Sequence, residues 1–230
     1  MTVMEMVTTV KGRTHDRDDT LVITELNGAQ SWAFNRIYLT QGGPDVLVTI
    51  DEEVTLAADL RTVNLDTEVT YEIAGIKQLW LKLPTENGFT QMISVDASDS
   101  RFELRDSLDT PTPSASHPVY YYIGNFTQAR FSALLPTASV IRVDYFRRPP
   151  GLDPTSNDAL TNGNDLPAAF HDAICAHATG RRFSLLDDDR DMRWLDLAQR
   201  GLNDALYHLV SRVQGPTVTQ PFRATRRRVI

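Results

Sequence analysis

Two histidines and the only cysteine of the chain lie close together in its C-terminal third. His171 and Cys175 are four residues apart, on one face of a predicted helix, where both could bind a metal ion. His177 is near them in sequence but lies on a different face. A third and a fourth ligand are not evident, so the pattern favours a helix flank with a small buried thiol. A single cysteine also excludes an intramolecular disulfide.

A run of acidic residues resembles the start of a calcium-binding loop but does not complete it. The run consists of Asp187, Asp189 and Asp191. The sixth loop position is Met192 where glycine is needed, and the twelfth is Ala198 where glutamate is needed. We therefore interpret the run as negative charge at the start of a helix, where the helix dipole favours it.

An acid–base group could also be drawn around His15, which is close in sequence to Asp16, Asp18 and Asp19. The segment is polar and shows no sign of a cleft that would shift a pKa, so solvated charge is the better interpretation. The sequence also lacks the glycine-rich phosphate-binding patterns and the G-x-S-x-G nucleophile pattern. We predict no catalytic residue, no cofactor and no metal.

Three consecutive tyrosines, Tyr120, Tyr121 and Tyr122, could stack on nucleobases. Successive side chains of a strand point to opposite faces, so at most two of the three can share a surface. Packing in a core or an interface is therefore favoured over base stacking. We predict that the three tyrosines lie in an interface with another subunit or another protein.

The C-terminal tail is basic, whereas the rest of the chain is acidic. The net charge is −7, of which the last 15 residues contribute +4, so the first 215 carry −11. Gly215-Pro216 ends the preceding helix and no amphipathic period follows, which predicts an extended arm. Apolar residues flank its arginines and could be buried on docking. The arm residues are Pro216, Pro221, Phe222, Arg223, Arg226, Arg227, Arg228, Val229 and Ile230.

This charge distribution favours an arm that docks on an acidic protein partner, with nucleic acid and a plain disordered end as the alternatives. Wrapping of DNA is disfavoured because phosphate neutralisation dominates that kind of affinity. The N-terminus has no continuous apolar segment of the signal-peptide type. No apolar stretch approaches the ~20 residues that a membrane-spanning helix needs.

Helical periodicity appears at both ends of the chain. A first helix is predicted from Thr2 to Lys11, stopped by Gly12. A second helix, capped by Asp19 or Thr20, is predicted to extend to about Tyr38. Its apolar stripe is Val22, Leu26, Ala29, Ala33 and Ile37. Near the C-terminus, a helix follows Asp165-Leu166-Pro167 and runs to about Leu186. Its predicted apolar face is Phe170, Ile174, His177, Ala178 and Leu185. The last helix has apolar positions at Met192, Leu195, Ala198, Leu202, Leu206, Leu209 and Val213.

Strand-like alternation fills the middle of the chain. Strands are predicted at 46–56, 67–83, 89–95, 101–104, 119–123, 129–134 and 140–145, with an Asn87-Gly88 hairpin turn. The predicted fold class is α+β: a helical bundle from N- and C-terminal helices, an inserted mainly antiparallel β region and an extended C-terminal arm. The predicted parts are bundle helices 1–45, β region 46–150, helix pair 151–214 and arm 215–230.

Several of these segments together resemble a known family. They are His117 to Ile123, Phe131 to Pro136, Ile141 to Tyr145, Asp165-Leu166-Pro167 with Phe170-His171, and Leu79 to Pro84 with Ile93-Ser94-Val95. This order of residue types, over about residues 70 to 210, resembles the head–tail adaptor proteins of tailed bacteriophages. One stretch departs from the pattern: residues 46–66 are longer and more strand-like than in that family, and their role stays open.

The resemblance implies a structural virion protein of the neck, present in the host cytoplasm during assembly, and not an enzyme. Such proteins form a ring, usually dodecameric, beneath the portal protein, and they offer a platform to the next neck or tail component. DNA passes through the ring without specific binding, and an acidic wall would repel its phosphates. Residues 214–230 would then be the portal-docking arm, and the helices at 20–40 and 188–213 the ring body.

Two alternative functions remain at this point. One is another ring-forming component, such as a tail terminator, a stopper or a baseplate-type protein. The other is a β-sandwich module that binds a small molecule or a carbohydrate. For the adaptor, we expect monomers or mixed oligomers in isolation, because the arm is ordered only when it docks.

Overall fold

The structure, a computed structural model, describes residues 1–40, 47–100, 102, 118–125, 127–155, 166–186 and 188–213. It is an α+β protein in which helices from both ends of the chain pack together and two β-sheets are inserted between them in sequence. The chain divides into a helical unit, residues 9–46 and 167–230, and a β unit, residues 1–8 and 47–166. The predicted fold class is confirmed for the described residues, and the predicted arm lies outside them.

The N-terminal helices are α1 (Val3–Thr14) and α2 (Asp19–Tyr38). The carboxylate of Asp18 accepts hydrogen bonds from the backbone N–H groups of Thr20 and Leu21, at 2.8 and 3.3 Å. It thereby satisfies donors that have no partner inside the helix. The cap is therefore Asp18, whereas Asp19 or Thr20 was predicted. The predicted stripe of α2 is buried: Val22, Leu26, Ala29, Ala33 and Ile37.

The end of α1 differs from the prediction. Gly12 was expected to stop the helix, but α1 continues through it to Thr14. The helix ends where His15 adopts a φ of 57° and its N–H donates to the carbonyl of Lys11 at 2.8 Å. This is a left-handed cap made by histidine in place of the usual glycine. A glycine inside a helix weakens it without ending it.

The C-terminal helices begin with a 3₁₀ turn, Ala168–Phe170, which leads into α4 (His171–Leu185); α5 (Asp191–Val213) follows. α4 packs against both α2 and α5. Leu185, predicted on the buried face, is 59% exposed because it occupies the last residue of α4, and Met192, in the first turn of α5, is 70% exposed. Ala198, Leu202 and Leu206 of α5 are buried as predicted.

Eight strands in the described part of the chain form two four-stranded sheets. The strands are β1 (Thr49–Thr55), β2 (Leu60–Asn64), β3 (Ile73–Lys82), β4 (Thr90–Gln91), β5 (Ile93–Ser94), β6 (Tyr120–Gly124), β7 (Gln128–Leu135) and β8 (Val140–Arg147). One sheet has the order β1-β8-β3-β4 and the other β2-β7-β6-β5. Among the strand pairs of the described ranges, only β5–β6 is parallel. The three strands predicted between 119 and 145 are confirmed as β6, β7 and β8.

Both sheets bury one face in a common hydrophobic core. Along β8, Ile141, Val143 and Tyr145 have no exposed surface, whereas the intervening residues are partly exposed. Phe131 and Leu135 of β7 are equally buried. Because side chains alternate between the two faces of a strand, this pattern fixes the register of each strand against the core.

The predicted strand 89–95 is divided between the two sheets. β4 pairs with β3 in one sheet and β5 pairs with β6 in the other, so the single residue Met92 separates strands of different sheets. The N–H of Met92 donates to the carbonyl of Leu79 at 3.0 Å, and the N–H of Ile93 donates to that of Val119 at 3.0 Å. The alternating pattern holds on both sides of this crossing, so the sequence alone shows one strand.

Two other predicted strands are corrected. The segment 67–83 begins with a one-turn helix, α3 (Leu65–Glu68), and strand pairing starts only at Ile73. The hydroxyl of Thr67 donates to the carbonyl of Asn64 at 2.9 Å, a local bond that competes with strand formation. Phe102, predicted in a strand at 101–104, is helical, and the other residues of that prediction lie outside the described ranges.

Candidate assembly surfaces

The three consecutive tyrosines lie on β6 and alternate between its faces. Tyr121 pairs with Phe131 of β7 and is only 2% exposed, within the common core. Burial raises the pKa of its hydroxyl, so the phenol stays neutral inside the β unit. A contact with another protein can therefore involve Tyr120 and Tyr122 but not Tyr121.

Tyr120 and Tyr122 face the other side of the sheet and are half-buried. The ring of Phe102 meets that of Tyr122 edge to face, with 5.0 Å between the centroids. The N–H of Tyr120 donates to the hydroxyl of Ser132 at 3.0 Å. Arg130 Nη1 lies 3.5 Å from the hydroxyl of Tyr122. The aromatic surface is thus held in place by its neighbours, and its role as an interface stays a prediction.

The predicted portal-docking arm lies entirely outside the described residues. It comprises Pro216, Pro221, Phe222, Arg223, Arg226, Arg227, Arg228, Val229 and Ile230. The description ends with α5, at Val213. The function of the arm therefore rests on its sequence.

A second surface, which the sequence analysis did not find, lies on the outer face of the first sheet. The guanidinium carbon of Arg142 is 4.8 Å from the ring centroid of Trp80 and 5.1 Å from that of Phe89. The indole N–H of Trp80 donates to Asp144 at 2.7 Å. Arg142 Nε is 3.4 Å from Asp144 without hydrogen-bond geometry, so this contact is electrostatic only. Arginine and tryptophan are enriched at the energetic centres of protein interfaces.

The only sequence signal for this arginine–aromatic cluster is cross-strand pairing. Trp80 lies directly opposite Arg142 in the β3–β8 register, and residues paired in this way share one face of the sheet. The two residues are 62 positions apart in sequence. The register therefore has to be known before the cluster can be recognised.

The residues first considered as metal ligands serve the packing of the helical unit. Cys175 is fully buried, and burial raises the pKa of its thiol to about 11. The imidazole of His177 stacks on Trp32 with 4.2 Å between the ring centroids. Burial lowers the pKa of His177 to about 4, so this ring is neutral at physiological pH. His171 is also buried, at 4% exposure.

The acidic residues around His15 also have structural roles. Asp16 forms an ion pair with Arg182 of α4, and both side chains are largely buried. Asp18 caps α2, and Asp19 accepts a hydrogen bond from Lys11 Nζ at 2.5 Å. The pair of Asp16 with Arg182 joins the α1–α2 corner to α4, so Asp16 is not the solvated charge that was expected.

The acidic run before α5 begins with Asp187, which lies outside the described residues. The carboxylate of the neighbouring Asp188 is occupied by a guanidinium. Arg190 Nε and Nη2 donate to Asp188 at 2.8 and 2.5 Å. These hydrogen bonds lower the pKa of Asp188 to about 2. Asp191 accepts from the N–H of Met192 at 2.5 Å, in the first turn of α5. The run therefore stabilises the start of a helix.

Among the described residues, no group of three or more His, Cys, Asp or Glu side chains is placed to hold a metal ion. In the same part of the chain, no helix is both long and apolar enough to cross a membrane.

The titratable side chains described above serve caps, ion pairs and packing, and the sheets present aromatic and arginine surfaces, as in a structural protein that acts by contact. The model of the SU10 adaptor protein family matches residues 1–224. The chain therefore belongs to this family of phage adaptor proteins, and the resemblance found in its sequence is confirmed. A comparison with curated proteins gives no match.

Proposed function

We propose that the protein is a head–tail adaptor whose copies form a ring beneath the portal of a tailed phage. The ring continues the DNA channel and offers an attachment platform to the next neck or tail protein. The observation that carries this proposal is the match of the adaptor family to nearly the whole chain, residues 1–224. The protein acts through binding to other virion components, and the family is structural rather than enzymatic.

The resemblance to head–tail adaptors assigns the arm to the portal, and the composition of the arm suits docking on an acidic partner. Residues 216–230 contain four arginines, no acid and the apolar residues Phe222, Val229 and Ile230. An arm of this kind gains affinity by burying its apolar residues in a crevice while its arginines pair with acids of the partner. Docking on the portal orders the arm at a cost in conformational entropy, so we expect the arm to take up its final conformation only in the complex.

The acidic body supports a passive channel. The first 215 residues carry a net charge of −11. A wall of that sign repels the phosphates of DNA, so the duplex can pass without being held. Specific DNA binding would require the opposite charge and would show a steep dependence on salt.

Deletion of residues 216–230 tests the portal assignment. The truncated chain is expected to keep the circular dichroism spectrum of the full chain but to fail to co-sediment with portal rings of its phage. A matched full-length variant, Phe222→Ala with Val229→Ala and Ile230→Ala, separates the apolar anchor from the arginines. This variant should bind at least ~10-fold more weakly if burial of apolar residues drives docking.

The assignment of the arm to the portal fails if the truncated chain decorates portal rings as well as the full chain does. Electron micrographs of the mixture also distinguish the alternatives. A ring at the far end of isolated tails, with none at the portal, would indicate a tail terminator.

A further inference from the structure

A cavity of about 480 Å³ opens in the helical unit beside the end of α1 and the first turns of α5. Half of the residues that line it are arginines and only one is acidic. The lining consists of Arg13, Phe183, Arg190, Arg193, Trp194, Asp196, Leu197 and Arg200. We call it the arginine pocket. It is a locally basic depression on a chain whose net charge is −7.

Two of the four guanidinium groups are already compensated. The guanidinium of Arg190 donates three hydrogen bonds to the carboxylate of Asp188, at 2.8, 3.0 and 2.5 Å, and its guanidinium carbon lies 4.2 Å from the ring centroid of Phe183. Arg200 pairs with Asp196 at 2.6 Å, one helical turn away. These two arginines shape the rim of the pocket, and each binds a carboxylate of its own chain.

The other two guanidinium groups have no acidic partner within the described residues. Arg13 lies over Trp194, 4.9 Å from the ring centroid, and its Nη1 is buried without a hydrogen-bond acceptor. Arg193 is exposed and forms no ion pair with another described residue. A buried donor without an acceptor is destabilising, so a ligand that supplies acceptors at this place is favoured. Carboxylates of a ligand would supply the acceptor that Arg13 lacks and would pair with the charge of Arg193.

Two carboxylates of the β unit match this requirement. Asp51 and Glu53 are exposed residues of β1, which forms an edge of its sheet. Neither forms an ion pair with a described residue. Glu52 between them is engaged, because it accepts hydrogen bonds from the hydroxyl of Tyr145 and the N–H of Thr70. Residues i and i+2 of a strand point the same way and are ~7 Å apart. Asp51 and Glu53 therefore both project from the outer face of the sheet, beside Asp144 and Arg142, which are their partners in the β1–β8 register.

We propose that Asp51 and Glu53 of one copy bind Arg13 and Arg193 in the arginine pocket of the next copy. This inference rests on the proposed function, which places copies of the chain side by side. The contact joins two different surfaces, so it is heterologous and repeats around a ring when the rotation closes. Guanidinium–carboxylate pairs also fix the orientation of the neighbours, because their geometry is bidentate.

Carboxylates suit the pocket better than the phosphates of a nucleic acid. The two anions that the rim already binds, Asp188 and Asp196, are carboxylates. The strongly acidic remainder of the chain would repel a polyanion as large as DNA. An exposed pair of acids elsewhere, Asp66 and Glu68, lies on a single helical turn, where residues i and i+2 point in different directions.

Disulfide trapping tests the contact in the full chain. Arg193→Cys chains are mixed with Asp51→Cys chains and oxidised at high concentration. A mixture of Tyr207→Cys with Asp51→Cys is the control, since Tyr207 is 72% exposed on the same helix but outside the pocket. The native Cys175 is buried and does not compete. The pocket pair should give roughly tenfold more mixed disulfide than the control, and equal yields would overturn the proposal.

Charge exchange provides an independent test by sedimentation. Chains with Arg13→Glu and Arg193→Glu, and chains with Asp51→Lys and Glu53→Lys, should each associate roughly tenfold more weakly than the wild type. Mixed together they should regain association, because an acidic pocket then meets a basic strand. If the pocket variant instead loses binding to duplex DNA while its self-association is unchanged, the pocket binds nucleic acid and the proposal is wrong. Deletion of residues 216–230 should leave both results unchanged, so failure of portal docking is seen separately.

Discussion

The β unit and the helical unit differ in the apolar surface that they leave exposed. The inward side chains of the sheets are almost all apolar and come from strands that are far apart in sequence. Both units also bury polar side chains: Ser132, Ser139 and Arg147 in the β unit, and Gln30, His171 and Thr179 in the helical unit. In the helical unit, α5 leaves large apolar side chains exposed, such as Leu197 at 52% and Tyr207 at 72%. This exposed apolar surface makes α5 a candidate for contacts with other proteins.

The largest effect is expected in the core of the β unit. Phe131→Ala removes a ring with no exposed surface, and the residual cavity should lower the free energy of unfolding by about 3–5 kcal/mol. Leu134→Ala on the same strand is the control, because Leu134 is 47% exposed; its cost should stay within about 0.5 kcal/mol. Urea unfolding followed by circular dichroism measures both. If the two variants lost the same free energy of unfolding, Phe131 would not be packed in the core that the two sheets share.

Ion pairs are expected to matter more in the helical unit than in the β unit. Arg182→Met leaves Asp16 buried without its partner and should cost about 3 kcal/mol. Arg148→Met breaks the pair with Glu72, whose side chains are 52% and 61% exposed, and should cost less than about 0.5 kcal/mol. Urea midpoints of the two variants give the comparison. A small cost for Arg182→Met would show that Asp16 is reached by water.

The packing of α4 on α5 depends on a glycine. A Cβ added to Gly180 would stand 2.9 Å from Leu195 Cγ and 3.1 Å from the carbonyl oxygen of Asp191, which cannot move without moving the helix. Gly180→Ala should therefore destabilise the protein by about 1–3 kcal/mol. Gly28→Ala in α2 meets no atom within 4 Å and should stabilise it by up to ~1 kcal/mol. Thermal unfolding should therefore show a lower melting temperature for Gly180→Ala and a higher one for Gly28→Ala than for the wild type.

The smallest effect concerns pH and the edge of the β unit. Burial acts to raise the pKa of Glu52, but hydrogen bonds from Tyr145 and Thr70 outweigh it and lower that pKa below its ordinary 4.5. Stabilisation from this lowered pKa is present above pH 4.5 and is lost as the pH falls through the folded value. Tyr145→Phe should cost about 1 kcal/mol at pH 7. Urea unfolding at pH 7 and pH 3 should show a smaller cost at the lower pH.

A cost of Tyr145→Phe that does not change with pH would mean that the hydroxyl contributes through a different acceptor. Glu52→Gln provides the matched control, because it keeps the shape of the side chain and removes the titration. The difference in unfolding free energy between this variant and the wild type should also decrease on acidification.

Much of the fold could be predicted because it depends on local periodicity. The stripe of α2 and the alternation of Ile141, Val143 and Tyr145 are visible in the sequence, and the structure confirms both. The predicted ends of α1 and of the strand at 67–83 were wrong because a local side-chain or backbone preference, not visible in the periodicity, sets each boundary. His15 makes the left-handed cap for which glycine was expected, and Thr67 bonds locally where a strand was expected.

The contact surfaces could be predicted only in part. The alternation of β6 places Tyr120 and Tyr122 together and leaves Tyr121 inside, as period two requires. The arginine pocket could not be predicted, since Arg13 is 177 positions from Arg190 and only helix packing brings them together. The same holds for the stack of Arg142 on Trp80, which depends on strand register.

The crossing at Met92 has a mechanical consequence. Because Met92 alone separates β4 from β5, a load on the first sheet is transmitted directly to the second at this place, beside the bonds from Met92 to Leu79 and from Ile93 to Val119. The short covalent link limits how far the two sheets can shift against each other.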